Sequence, residues 1–67
     1  MERILTKRER EVFELLVLNK TTSEIAEELK ISEKTVRKHI SNVIQKLGVS
    51  GRSQAILELI RLNEIYL

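Results

Sequence analysis

Residues 21–47, TTSEIAEELKISEKTVRKHISNVIQKL, limit the possible folds more than any other stretch of this chain. They split into two helical patterns around Lys30, Ile31 and Ser32, a turn with no glycine. Thr21 followed by Glu24 fits a capping box, in which the hydroxyl accepts a first-turn amide and the carboxylate accepts the cap amide. Ile25, Ala26 and Leu29 then face inward. Ser32 caps the second pattern. There Val36, Ile40, Val43 and Leu47 recur on one face at about 100° per residue, with Ile44 close by. Gly48 ends it, a small residue where a positive φ is wanted.

The flanking segments supply what these two helices must pack against. Thr6 and Glu9 form a second capping box, and Leu5 sits just before the cap, where it can act as a hydrophobic staple. Val12, Leu15 and Leu16 make an apolar stripe with Phe13 at its edge, and Asn19 ends the helix because Asn tolerates the left-handed conformation. A last helix begins near Ser53, turns Ala55, Ile56, Leu59 and Leu62 inward, and stops at Asn63. Val49 and Ile65 read as core plugs. The expectation is an all-α fold: one domain over residues 1–67, a compact four-helix helix-turn-helix with helices at about 7–18, 22–29, 33–47 and 53–62.

Composition agrees. Sixty-seven residues bury only a modest core, so stability should be thin and a partner subunit or ligand would help. There is no cysteine, hence no disulfide and no thiolate metal site, which is compatible with a reducing cytoplasm. No segment is long and apolar enough to span a membrane, and MERILTKRER has no apolar signal core.

The net charge of +2 is small but unevenly spread. From Lys34 to Leu57 there are five Lys or Arg and no acid, whereas acids outnumber bases from Glu9 to Glu33. Opposite the apolar face of the 33–47 helix stand Lys34, Lys38, Ser41 and Gln45, flanked by Arg37 and Asn42. A merely solvated face usually mixes Glu with Lys; an acid-free face suits a polyanion. Arg and Lys can donate to O6 and N7 of guanine, and Ser41 and Gln45 can donate and accept at base edges. Thr21, Thr22, Thr35, Asn42 and Lys46 are placed for phosphates, as is the dipole end of the 22–29 helix. Leu57 projects away from the inner face of the last helix, with Ile60, Arg61 and Glu64 nearby, and fits a self-complementary two-fold contact.

Leu5, Thr6, Lys7, Arg8, Glu9, Arg10, Glu11 and Val12, then Glu24, Ile25, Ala26, Leu29, Ile31, Ser32, Thr35, Val36, His39, Ile40, Lys46, Leu47 and Arg52 together resemble the LuxR/NarL/FixJ-type helix-turn-helix domain. The resemblance runs from Leu5 to about Ile65. It implies that the third helix enters the major groove and that two copies join through the fourth helix on paired half-sites. It further implies base reading by Arg37, Lys38 and Ser41, phosphate contacts by Thr22, Thr35 and Lys46, and a structural pairing of Arg52 with Glu9 or Glu11. Family members often have glycine at positions 19 and 63, where this chain has Asn. Most carry a receiver or autoinducer domain upstream; a chain complete as it stands would not be controlled through one.

The resulting expectation is a sequence-specific regulator of transcription on double-stranded DNA in the bacterial cytoplasm, without a cofactor. Gene activation would need a further surface touching RNA polymerase, which the sequence does not mark. A promoter-reading module of a sigma factor and a helical protein-interaction module stand as alternatives. His39 is a lone histidine and a poor metal site. No nucleophile–base pair or glycine-rich phosphate loop points to an enzyme, and Phe13 and Tyr66 are too few to stack single strands.

Overall fold

Three of the four helices begin where a side chain meets a free amide, and each of the four is followed by a residue that reverses the backbone. In the computed structural model, which describes residues 4–66, the order is α1 (Lys7–Val17), α2 (Thr22–Leu29), α3 (Glu33–Leu47) and α4 (Arg52–Arg61), with no strand among the described residues. Both expected capping boxes form. The Glu9 amide donates to Thr6 Oγ1 at 3.1 Å and the Thr6 amide to Glu9 Oε1 at 2.9 Å. Thr21 and Glu24 repeat the exchange at 3.1 and 2.8 Å. Ser32 Oγ accepts the Thr35 amide at 3.0 Å. Among the described residues, no helix is long and apolar enough to cross a membrane.

All four helices close in the same way. Asn19, Lys30, Gly48 and Asn63 are left-handed, with φ of 67°, 59°, 67° and 59°. The next residue then donates back across the last turn: Lys20 to Leu15, Ile31 to Ala26, Val49 to Ile44 and Glu64 to Leu59, at 3.1, 3.0, 3.3 and 2.8 Å. This is the Schellman arrangement, which satisfies carbonyls that a helix end leaves orphaned. Only one of the four residues is glycine; the others accept a left-handed conformation that costs an L-residue about 1–2 kcal/mol.

α3 is central, and α1, α2 and α4 all pack on it. The core draws Val12 and Phe13 from α1, Ile25 and Ala26 from α2, Val36, Ile40 and Val43 from α3, and Ala55 and Leu59 from α4. Leu5 and Ile65 are plugs from the two flanks, and Val49 packs half-buried against this core. Phe13, expected at the edge of the α1 stripe, is fully buried, while Leu15 and Leu16 are half-buried. The buried face of α1 is therefore centred on Val12 and Phe13, and α1 packs mainly on α3.

α4 starts one residue earlier than expected. Gly51 is its cap and provides no side-chain hydrogen bond. Gln54 instead reaches back to the turn before the helix: its Oε1 accepts from the Ser50 amide at 3.0 Å and from the Ser50 hydroxyl at 2.8 Å. Ser53 is simply an exposed residue of the first turn.

Candidate nucleic-acid interface

Burial of Val36, Ile40 and Val43 fixes the rotation of α3 and decides which side chains reach solvent. Lys34, Arg37, Lys38, Ser41 and Gln45 are exposed, and Thr35, His39 and Asn42 are half-buried at the margins of that face. The nearest acid, Glu33, reaches Arg37 at 3.7 Å, with both side chains about half exposed. Such a pair is worth little and leaves the guanidinium available. The expected face is therefore assembled on one helix. α2 braces it through the turn at Lys30, whose left-handed backbone brings Ile31 back against the core.

The margins are more constrained than the sequence suggested. Thr35 Oγ1 lies 2.9 Å from Ser32 Oγ, so its hydroxyl already serves the α3 cap. At the start of α2, Glu24 lies over the first turn. The Thr21 amide, donating to its carboxylate, holds that carboxyl below the usual range. Among the described residues, the Thr22 and Ser23 amides have no intramolecular acceptor and remain open to an anion.

Lys46 departs furthest from a simple phosphate contact. Its ammonium donates to Glu9 Oε1 at 2.5 Å and to the Ile4 carbonyl at 3.2 Å, tying the last turn of α3 to the start of α1. Burial alone would raise the Glu9 carboxyl. Hydrogen bonds from Lys46 and from the Thr6 amide outweigh burial and hold it below its ordinary 4.5. Glu9 is thus both a helix cap and the buried anchor of the third helix. The sequence showed only the capping role, because nothing local links residue 9 to residue 46. This also corrects the expected pairing of Arg52. Glu9 is taken by Lys46, Glu11 pairs with Arg8 at 3.1 Å, and Arg52 is exposed with no ion pair among the described residues.

The α4 patch is brought together only in part. Leu57 is 67% exposed and Ile60 is half-buried. Arg61 is spent on Glu58 of its own helix, 2.5 Å away. Glu64 turns inward, where Arg10 of α1 donates to its carboxylate at 2.9 Å and also to its backbone carbonyl. Arg10 had no role of its own in the sequence beyond the family resemblance, because its partner lies across the fold.

A short helix bracing a longer one through a tight turn, with the outer face of the longer helix basic, defines a helix-turn-helix domain. The chain belongs to the luxR family of bacterial regulatory proteins, whose family description matches residues 3–59. It is 73% identical to the spore germination protein GerE of Bacillus subtilis (strain 168) over 96% of this chain and 86% of that one. It is 48% identical to the transcriptional regulatory protein DegU of Brevibacillus brevis, over 87% of this chain but only 25% of that longer protein. A solved structure of the transcription factor GerE superposes with a TM-score of 0.95 at 68% identity, covering 97% of both chains. The response regulator ChrA of a heme-sensing two-component system contains a similar domain, with a TM-score of 0.87 at 32% identity over 97% of this chain and 32% of that one. The family is one of regulatory proteins, so the chain is not an enzyme.

Proposed function

We propose that the chain is a sequence-specific transcription regulator that lays α3 in the major groove of double-stranded DNA. The observation that carries this reading is the outer face of α3, where Lys34, Arg37, Lys38, Ser41 and Gln45 are all exposed and no acid follows Glu33. These five would meet base edges. Thr21, Thr22, Thr35 and Asn42 would flank them on the phosphates, aided by the free amides of α2. An ammonium has three protons, and Lys46 uses two on Glu9 and Ile4, so one is left for a phosphate.

Two copies would join through α4, placing half-sites about 10 base pairs apart. In that contact Leu57 and Ile60 supply the apolar centre and Arg61 the rim. Glu64 would act indirectly, by holding Arg10. The regulator would work in the cytoplasm on the nucleoid, without a cofactor, and would touch RNA polymerase when it activates. The name of the relative that matches this chain nearly end to end supports a role among spore-associated genes.

Binding to a randomised duplex pool, with sequencing of the bound fraction at two salt concentrations, tests the reading. A motif of two related half-sites is expected. Binding that vanishes with added salt and enriches no motif would reduce α3 to a phosphate surface. Arg37→Ala should then lower discrimination between selected and scrambled sites by about 1–3 kcal/mol. Equal loss on both would remove Arg37 from the base-reading set.

A further inference from the structure

The proposed DNA face leaves a second surface feature unexplained. Between α1 and α2 runs an open groove of about 320 Å³, lined by Glu11, Glu14, Leu15, Leu18, Glu28 and Leu29. It exists because α1 and α2 each pack more closely on α3 than on one another. Leu15 and Leu29 are half-buried in its floor, and Leu18 at the end of α1 is 66% exposed. One exposed leucine is ordinary. Three leucines in a concavity rimmed by three carboxylates are not, and they make an amphipathic receptor.

The charges indicate what such a receptor can hold. Glu11 is partly neutralised by Arg8, whereas Glu14 and Glu28 make no ion pair among the described residues. A phosphate or nucleic acid would be repelled. An open groove of this kind suits a row of side chains better than an enclosed small molecule. No α3 residue lines it, so its occupant and a duplex on α3 need not compete. α3, the most basic helix of this chain, spends its apolar face on its own core. α4 has its outer Leu57 and Ile60 assigned above to a two-fold contact and its Arg61 paired with Glu58, so a second copy has no free basic helix to offer.

We propose that the α1–α2 groove docks a basic amphipathic helix from a different protein. Apolar residues of that helix would sit on Leu15, Leu18 and Leu29, with its Lys or Arg against Glu11, Glu14 and Glu28. This surface stands independently of DNA reading by α3.

The test uses two synthetic helical peptides with leucines at helical spacing, one otherwise lysine and one otherwise glutamate, titrated into the full chain and followed by amide chemical shifts. The lysine peptide should move the amides of Glu14, Leu15, Leu18, Glu28 and Leu29, and the glutamate peptide should not. Reversing both charges, Glu14→Lys with Glu28→Lys, should weaken the lysine peptide by about tenfold and let the glutamate peptide bind. Leu18→Gln, at an exposed position, adds a second variant whose folding is not at risk, and it should weaken the lysine peptide by removing an apolar contact at the groove's edge without adding charge. Unchanged affinity in either variant, or shifts confined to α3 or α4, would overturn the proposal. So would concentration-dependent shifts at the groove without peptide, because they would assign it to a second copy.

Discussion

α2 and α4 are short helices of 8 and 10 residues, and they are held in place by different means. α2 carries its own instructions. Thr21 and Glu24 satisfy its first turn reciprocally, and the turn at Lys30 returns the chain within two residues. α4 has no capping side chain at Gly51 and depends on what surrounds it. Leu59 and Ala55 are fully buried, Ile65 closes over the same core, and Arg10 of α1 holds Glu64 just past its end. The difference separates two kinds of stability. A helix capped by adjacent residues has its ends fixed locally, although its stability still comes from packing; a helix without such caps has its place fixed only by contacts from the rest of the fold. The helix proposed to join two copies is the second kind, so a partner subunit would add support where the chain has least of its own.

The strongest challenge to this contrast is Leu59→Ala. Removing a fully buried leucine from the contact that seats α4 should cost about 2–5 kcal/mol, a large share of what a domain this small possesses. Urea unfolding followed by circular dichroism would measure it, and a cost near zero would mean that α4 is not seated through Leu59. Glu64→Ala is the sharper test. It leaves the guanidinium of Arg10 without its carboxylate at a half-buried site, at a cost of about 1–3 kcal/mol. Hydrogen exchange should quicken in α4 ahead of α2 and α3; an equal rise in all three would make the pair a global tie. The smallest effect is expected from Thr21→Ala, about 1 kcal/mol for a lost cap. That loss should appear first as faster exchange in the opening turn of α2, and α4 should be untouched.

The same contrast explains which features were readable from the sequence. The helices with side-chain caps were placed by Thr6, Thr21 and Ser32, because a cap and its amide lie within three residues of each other. Asn19, Gly48 and Asn63 marked helix ends for the same reason. The outer face of α3 followed from periodicity alone, since burying Val36, Ile40 and Val43 leaves Lys34, Lys38, Ser41 and Gln45 outside. The start of α4, expected near Ser53, was displaced by one residue because its cap, Gly51, has no side chain to mark it. Glu64 looked like a free rim charge because Arg10 stands 54 positions away.

The amino-acid sequence by itself determined the side-chain-capped helices α1, α2 and α3, the Asn and Gly helix ends and the basic face, because each depends on groups a turn or two apart along one chain segment. The tertiary structure alone decided the partners of the charged groups. Arg10 met Glu64, Lys46 met Glu9, and Arg52 was left exposed. It also decided that α1 and α2 diverge enough to open an acidic groove between them. Ion pairs and grooves depend on where separate helices come to rest around α3, and that position is a property of packing across the whole core.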